Sequence, residues 1–184
     1  MHAFQDHPAP FTHGGATYDF AHLASTVLKL NLADCQHIVA ECRFKSHCYT
    51  RKPGHAESLA GLVPIHDERG ELRVLCPVRY HLSFLLVGWI SKWRAQPCVF
   101  GKNFRHGVEN WIVVEWREHQ RIKVAFSVDK HELLVPGIMM WIKTVHPYDR
   151  SRPPVAGRVN SIPFQVLVKT VAYTGQLPRV KTRK

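Results

Sequence analysis

The chain has 184 residues, 45% of them hydrophobic, with 25 Lys and Arg against 14 Asp and Glu, a formal charge of +11. That length and apolar content suit one folded domain and exclude wholesale disorder. No apolar run of about 18 residues is present, and Met1 to Pro8 lack the basic region and apolar core of a signal peptide. A cytoplasmic protein with no membrane partner is therefore expected.

Residues 1–17, rich in His, Pro and Gly, read as an irregular arm. Asp19 suits a helix cap and predicts a helix from Phe20 to about Leu30, with Phe20, Leu23, Val27 and Leu30 on one stripe. Ile38, Ala40, Cys42 and Phe44 then alternate with Val39, Glu41, Arg43 and Lys45. This period of two predicts a strand with one buried and one charged face. Residues 52–70 read as loop, and Leu72 to Cys76 as a strand stopped by Pro77. From His81 to Arg94 the spacing of Leu82, Leu85, Leu86, Trp89, Ile90 and Trp93 predicts one helix with a wide apolar face.

Residues 97–106 read again as loop. Trp111 to Trp116 and Arg121 to Val128 predict a β-hairpin joined by Glu118-His119-Gln120. Trp111 falls on the face opposite Ile112, Val114 and Trp116, where it either covers a second packing surface or stands exposed for base stacking. Ile138 to Val145 predicts a further strand, and residues 147–158 a basic, proline-rich loop. Ser161 and Pro163 signal a helix carrying Phe164, Leu167, Val168 and Val171 on one stripe and closing at Gly175, before a basic tail from Pro178 to Lys184. The order of elements predicts an α+β domain over residues 18–177, with a mixed, mainly antiparallel sheet and about three packing helices. Phe20-x-x-Leu23-x-x-x-Val27 echoes Phe164-x-x-Leu167-x-x-x-Val171, and Ile38-Val39-x-Glu41-x-Arg43 echoes Ile112-Val113-x-Glu115-x-Arg117, the pattern an internal duplication would leave.

The densest chemistry lies in His47-Cys48-Tyr49-Thr50-Arg51-Lys52, a turn-like stretch after a strand and before Pro53-Gly54. Cys35, His37, Cys42, His47 and Cys48 crowd together, but they lack the tight paired spacing of a closed zinc site, and no metal or other cofactor is expected. With Cys76 and Cys98, the cysteines read as reduced thiols. Cys48 beside His47, Arg51 and Lys52 has the surroundings that lower a thiol pKa, although adjacent strand residues face opposite ways and His47 is then a poor base for it. An extended conformation through Lys45 would bring His47, Tyr49 and Arg51 to one side. There Arg51 would hold a phosphate, His47 exchange a proton, and Tyr49 position a sugar or stack.

A pI near 9.7 suits phosphate-bearing partners, because basic surface attracts polyanions and releases their counterions. The expected contacts are Arg43, Lys45, Arg51, Lys52, Arg150, Arg152, Arg158, Arg179, Lys181 and Arg183. The leading reading is nucleic-acid binding, to RNA or DNA. The alternatives are a metal-independent endoribonuclease of toxin type using His47, Tyr49 and Arg51, and a module that binds an acidic protein partner. The segment His47-Cys48-Tyr49-Thr50-Arg51, with Arg79-Tyr80 downstream, resembles uncharacterised proteins of bacterial prophages and mobile elements, some labelled stationary-phase growth adaptation proteins. The resemblance implies a bacterial cytoplasmic setting, open to phage defence, and supplies no mechanism.

Overall fold

A computed structural model describes residues 8–32, 36–103, 107–117, 120–148 and 160–178. The chain enters through a hairpin of β1 (Phe11–His13) and β2 (Ala16–Tyr18), so the arm expected to be irregular is ordered from Phe11 onward. Phe11 anchors it, its ring lying 5.8 Å from that of buried Phe20. The helix expected over Phe20–Leu30 does not form. A 3-10 turn at Ala21–Leu23 leads instead into β3 (Thr26–Asn31). Leu28, Leu30 and Leu32 supply a competing period of two, and β-branched Thr26 and Val27 favour extended backbone.

β4 (His37–Phe44) alternates as its sequence predicts, with Ile38, Ala40, Cys42 and Phe44 buried. After a 3-10 turn at Ser46–Cys48 come three short strands, β5 (Thr50–Arg51), β6 (Pro64–His66) and β7 (Leu72–Leu75). Pro77 then opens α1 (Pro77–Ser83), the first helical position being where its missing N–H costs least. The single helix expected over His81–Arg94 is thus two short ones, α1 and α2 (Leu86–Ile90). At the break, Ser83 Oγ donates to Tyr80 O at 2.6 Å and Leu85 N turns back to Leu82 O at 3.1 Å, a 3-10 step in place of an α bond. Leu82, Leu86, Ile90 and Trp93 are buried, while Leu85 and Trp89 are only half-buried, so the apolar face is narrower than predicted.

The loop expected over 97–106 is largely strand, β8 (Pro97–Asn103). Pro97 sits at its first residue, a position that tolerates proline in a sheet. β9 (Gly107–Glu115) and β10 (Arg121–Lys130) form the predicted antiparallel pair, followed by β11 (Gly137–Pro147), β12 (Asn160–Pro163) and α3 (Phe164–Thr174). Gly175, at φ 70°, closes α3 in the left-handed conformation that a side chain would disfavour.

The fold is α+β. Among the described residues one sheet has seven strands in the order β12-β8-β9-β10-β11-β4-β3, antiparallel except for the β11–β4 pair. A smaller sheet has the order β5-β7-β6. The inner face of the large sheet buries Ile38, Ile112, Val124, Phe126, Ile138 and Met140 in one core with Phe164, Leu167, Val168 and Val171 of α3. There Trp93, Phe126 and Phe164 form a ring triad with centroids 5.5–5.9 Å apart. The echoed segments do not correspond structurally: Phe20–Val27 is turn and strand where Phe164–Val171 is helix, and β4 has a parallel neighbour where β9 has none. No helix among the described residues is long and apolar enough to cross a membrane.

Candidate functional site

The outer face of the large sheet carries the other half of each alternation. Trp141 on β11 is the register partner of Arg43 on β4, and its indole lies 5.3 Å from the Arg43 guanidinium and 4.3 Å from the Lys45 ammonium. Lys143 follows two residues along β11. A half-buried ring with two cations over it fixes those charges at one place on the sheet. Trp111 does not stand exposed: it is buried, with Lys123 Nζ 4.7 Å from its ring. Arg43 also pairs with Glu41 at 2.7 Å.

Beyond β4 the chain leaves the sheet. Lys45 N still bonds Ile142 O at 2.9 Å, but the next residues close a 3-10 turn through Cys48 N to Lys45 O and Tyr49 N to Ser46 O. Arg79, reaching over from α1, clamps this turn by donating from Nη1 to His47 O at 3.1 Å, Thr50 O at 2.8 Å and Thr144 Oγ1 at 3.3 Å. The extended run that would align His47, Tyr49 and Arg51 is therefore replaced by a turn, and the three do not share a face.

Each goes to a different place. Tyr49 is 2% exposed, packs against Phe20 at 4.7 Å, and burial raises its phenol pKa. Arg51 forks onto Glu57, with 2.6 Å on one arm, and Glu57 also accepts from Gly54 N at 2.7 Å. Cys48 is fully buried, its thiol donates to Ile142 O at 3.4 Å, and burial pushes its pKa up to about 12. A thiol in that position is no nucleophile at neutral pH. Cys42 is equally buried and pushed up to about 12, and among the described residues no three His, Cys, Asp or Glu side chains come together to hold a metal. Cys42, Cys48, Cys76 and Cys98 are free thiols.

His47 faces Asp67. Its Nε2 lies 3.3 Å from Asp67 Oδ2, with the imidazole side chain 39% exposed and the carboxylate 3%. Asp67 is fixed by the β6–β7 turn, where Oδ1 accepts from the Arg69 and Glu71 amides at 2.9 Å each. Burial works to raise the Asp67 pKa, but those amides and His47 outweigh it and leave it below the usual carboxylate value. For His47, burial comes first and the Arg73 charge second. Together they lower its pKa against the opposing pull of Asp67 and Glu68, so the ring is neutral at pH 7. With Nε2–H directed at Asp67, Nδ1 is the bare nitrogen and has no partner among the described residues.

The turn, the small sheet and the outer face of β11 together bound a cleft with two lobes. The larger, about 590 Å³, is walled by Phe11, Phe44, Tyr49, Val63, Ile65 and Trp141. The smaller, about 310 Å³, is lined by Lys45, His47, Lys52, Arg69, Lys143 and Thr144. Lys45, Asp67 and Glu68 border both. Glu68 is held across the boundary by Ser46, whose N and Oγ donate to it at 2.7 and 3.1 Å. Lys52 pairs with Glu71 at 2.9 Å. Lys45, Arg69 and Lys143 have no ion-pair partner among the described residues.

Of the residues the sequence singles out, the structure thus brings Arg43, Lys45, His47 and Lys52 to one neighbourhood and ties Arg51 to Glu57. Arg150, Arg152, Arg158, Arg179, Lys181 and Arg183, with the connection at residues 118–119 and Cys35, lie outside the described residues. The YjaZ family model matches residues 10–172. The chain belongs to the YjaZ family. No curated protein and no solved structure matches it. The YjaZ span takes in the cleft residues from Phe11 through Thr144, including Asp67, Glu68, Trp141 and Lys143, which the sequence did not single out for the site. The run His66-Asp67-Glu68-Arg69-Gly70-Glu71 was the available signal: five ionisable side chains about a glycine, between two short apolar segments.

Proposed function

We propose that this YjaZ-family protein binds nucleic acid, with the sugar-phosphate chain lying along the basic lobe of the cleft and the outer face of β11. The observation that carries this reading is the convergence of Lys45, Arg69 and Lys143, none with an ion-pair partner among the described residues, beside the half-buried Trp141. Cations in a recess attract phosphates and gain from counterion release, and the +11 charge extends that attraction over the molecule. A prophage or stationary-phase role and a cytoplasmic setting belong to the same proposal. Fluorescence anisotropy with single-stranded RNA and DNA across a salt series tests it. Affinity should fall steeply with salt, and the Lys45→Ala/Lys143→Ala double variant should flatten the log–log slope by about 1.4, roughly 0.7 per lost phosphate contact. Absence of binding at low ionic strength would remove the reading and leave an acidic protein partner as the ligand of these lysines.

His47 and Asp67 favour a second reading, metal-independent cleavage of RNA. His47 Nδ1 would take the 2′-hydroxyl proton, the 2′-oxygen would form a bond to phosphorus, and the bond from phosphorus to the 5′-oxygen would break. The products are a cyclic phosphate and a 5′-hydroxyl that takes its proton back from His47 or water. Asp67 would steady the imidazolium, and Lys45 and Lys143 the charge on the phosphorane. Cleavage of labelled RNA that survives EDTA and is lost in His47→Gln supports this. Intact RNA leaves binding alone.

A further inference from the structure

The apolar lobe of the cleft has walls that phosphate binding does not need. Phe44, Tyr49 and Ile65 are buried and form its floor, while Phe11, Val63 and Trp141 are half-buried and form its sides. The lobe, about 590 Å³, opens beside the lysines of the smaller one, with Lys45 bordering both. A ligand occupying both lobes needs a flat or apolar body and, within one residue's reach, a negative charge. A nucleotide with its base turned out of the strand has that form, whereas a paired base in a duplex does not.

We infer that the apolar lobe holds one unstacked base of a single strand, stacked against Trp141, and that Glu68 selects guanine. This deepens the nucleic-acid reading and rests on it. Ser46 N and Oγ hold the two Glu68 oxygens in place, at 2.7 and 3.1 Å, and each oxygen keeps a second lone pair. A fixed carboxylate with two acceptors matches two adjacent N–H donors, which guanine presents on its pairing edge through its ring imino and exocyclic amino groups. Adenine and cytosine offer one amino group beside an acceptor, and uracil one imino group between two carbonyls. Trp141 contributes stacking that any base can use, so binding is general to single strands and Glu68 adds the preference.

The experiment compares three probes at one salt concentration: an oligouridylate of about twelve residues, within the usual reach of one single-strand site, the same strand with one central guanosine, and inorganic polyphosphate of similar length. The uridylate should bind on the order of tenfold more tightly than polyphosphate, the scale of one base–aromatic stack, and the guanosine strand more tightly still. Trp141→Ala should cost the uridylate far more affinity than it costs polyphosphate, so that the two probes bind alike in the variant. Glu68→Gln should bring the guanosine strand to the level at which that variant binds the uridylate. Equal binding of polyphosphate and uridylate by the wild type overturns the base pocket and leaves phosphate binding standing. So does a uridylate affinity that Trp141→Ala leaves intact. Equal affinity for the two strands, or a guanosine preference that Glu68→Gln preserves, overturns the selection by Glu68. Failure of all three probes to bind overturns the parent reading with it.

Discussion

His131 Nε2 lies 2.7 Å from Glu41 Oε2, joining the β10–β11 connection to the middle of β4 across 90 residues of sequence. His131 Nδ1 accepts from the Leu133 and Leu134 amides at 3.0 and 3.1 Å, so the ring proton is on Nε2 and is donated to Glu41. One imidazole thereby shapes a turn whose Leu133 and Val135 side chains stand exposed and fixes a carboxylate on the outer sheet face. His131→Ala strands two amides and removes a charged acceptor's partner, and should cost about 1–3 kcal/mol in urea unfolding. The Glu41 pKa is lowered, first by the His131 hydrogen bond and further by Arg43 and Ser25, against burial. A carboxyl lowered in the folded state contributes stability above its ordinary value of 4.5, lost as pH falls through the folded value. The acid-side loss of stability should therefore shrink in His131→Ala. An unchanged acid limb would count against the pairing.

Trp93, not Trp89, is the tryptophan on which the core depends. Trp93 is 1% exposed and packs on Phe126 and Phe164, whereas Trp89 is half-buried. Trp93→Ala should cost about 3–5 kcal/mol, the range for emptying an aromatic core site, and Trp89→Ala clearly less. Trp93 Nε1 is buried without a partner among the described residues. Trp93→Phe removes that unpaired donor and should retain most of the stability. Matched denaturation curves give the comparison, and equal losses at both tryptophans would contradict it.

Strand periodicity was legible wherever one face is fully buried. Ile38 to Phe44 on β4 alternate without interruption, Ile122 to Val128 on β10 do so apart from buried Ala125 at a register shift, and both strands have neighbours on each side. β3 was misread because it is an edge strand, where Val27 and Lys29 face solvent and the remaining leucines satisfy helical and extended spacing alike. β8 was hidden by Pro97 and Gly101, which punctuate a loop in sequence but sit within a paired strand here. The site was legible as far as Lys45 and His47. What hid the rest is the turn after β4: Ser46, Cys48 and Thr50 are buried by contacts from Glu68, Ile142 and Arg73, residues 22 to 94 positions away that no local pattern announces. Asp67 and Trp141 come from other elements for the same reason.

Arg79 determines whether that turn holds. Its Nη1 serves the His47 and Thr50 carbonyls together with Thr144 Oγ1. Arg79→Met keeps the apolar stem and removes the donors, at a cost of about 1.5–3 kcal/mol, the scale of hydrogen bonds to a charged group. The loosened turn should also expose Cys48, which is fully buried and pushed up to about 12 in the native protein. Iodoacetamide labelling mapped by mass spectrometry should leave Cys48 unmodified in the wild type and modify it in Arg79→Met. Rapid labelling of wild-type Cys48 would contradict its burial.

His47 provides the pH test. Burial and the Arg73 charge lower its pKa below the ordinary 6.5, while Asp67 opposes them. Asp67→Asn removes the opposing charge, so the titration midpoint of His47, followed by NMR, should start below 6.5 and fall further in the variant. For stability the sign is set by proton uptake. Below 6.5 the unfolded chain binds a proton at His47 that the folded chain does not yet bind. Stability is therefore lost as pH falls from there toward the folded value, and Asp67→Asn widens that window on its acid side. If the protein cleaves RNA, the acid limb of its rate profile should track the NMR midpoint and move down with it in Asp67→Asn, because only the neutral ring can accept the 2′-hydroxyl proton. A midpoint at or above 6.5 in the wild type would mean that burial and Arg73 do not outweigh Asp67, and one that rises when Asp67 loses its charge would mean that His47 does not sit against this carboxylate as described.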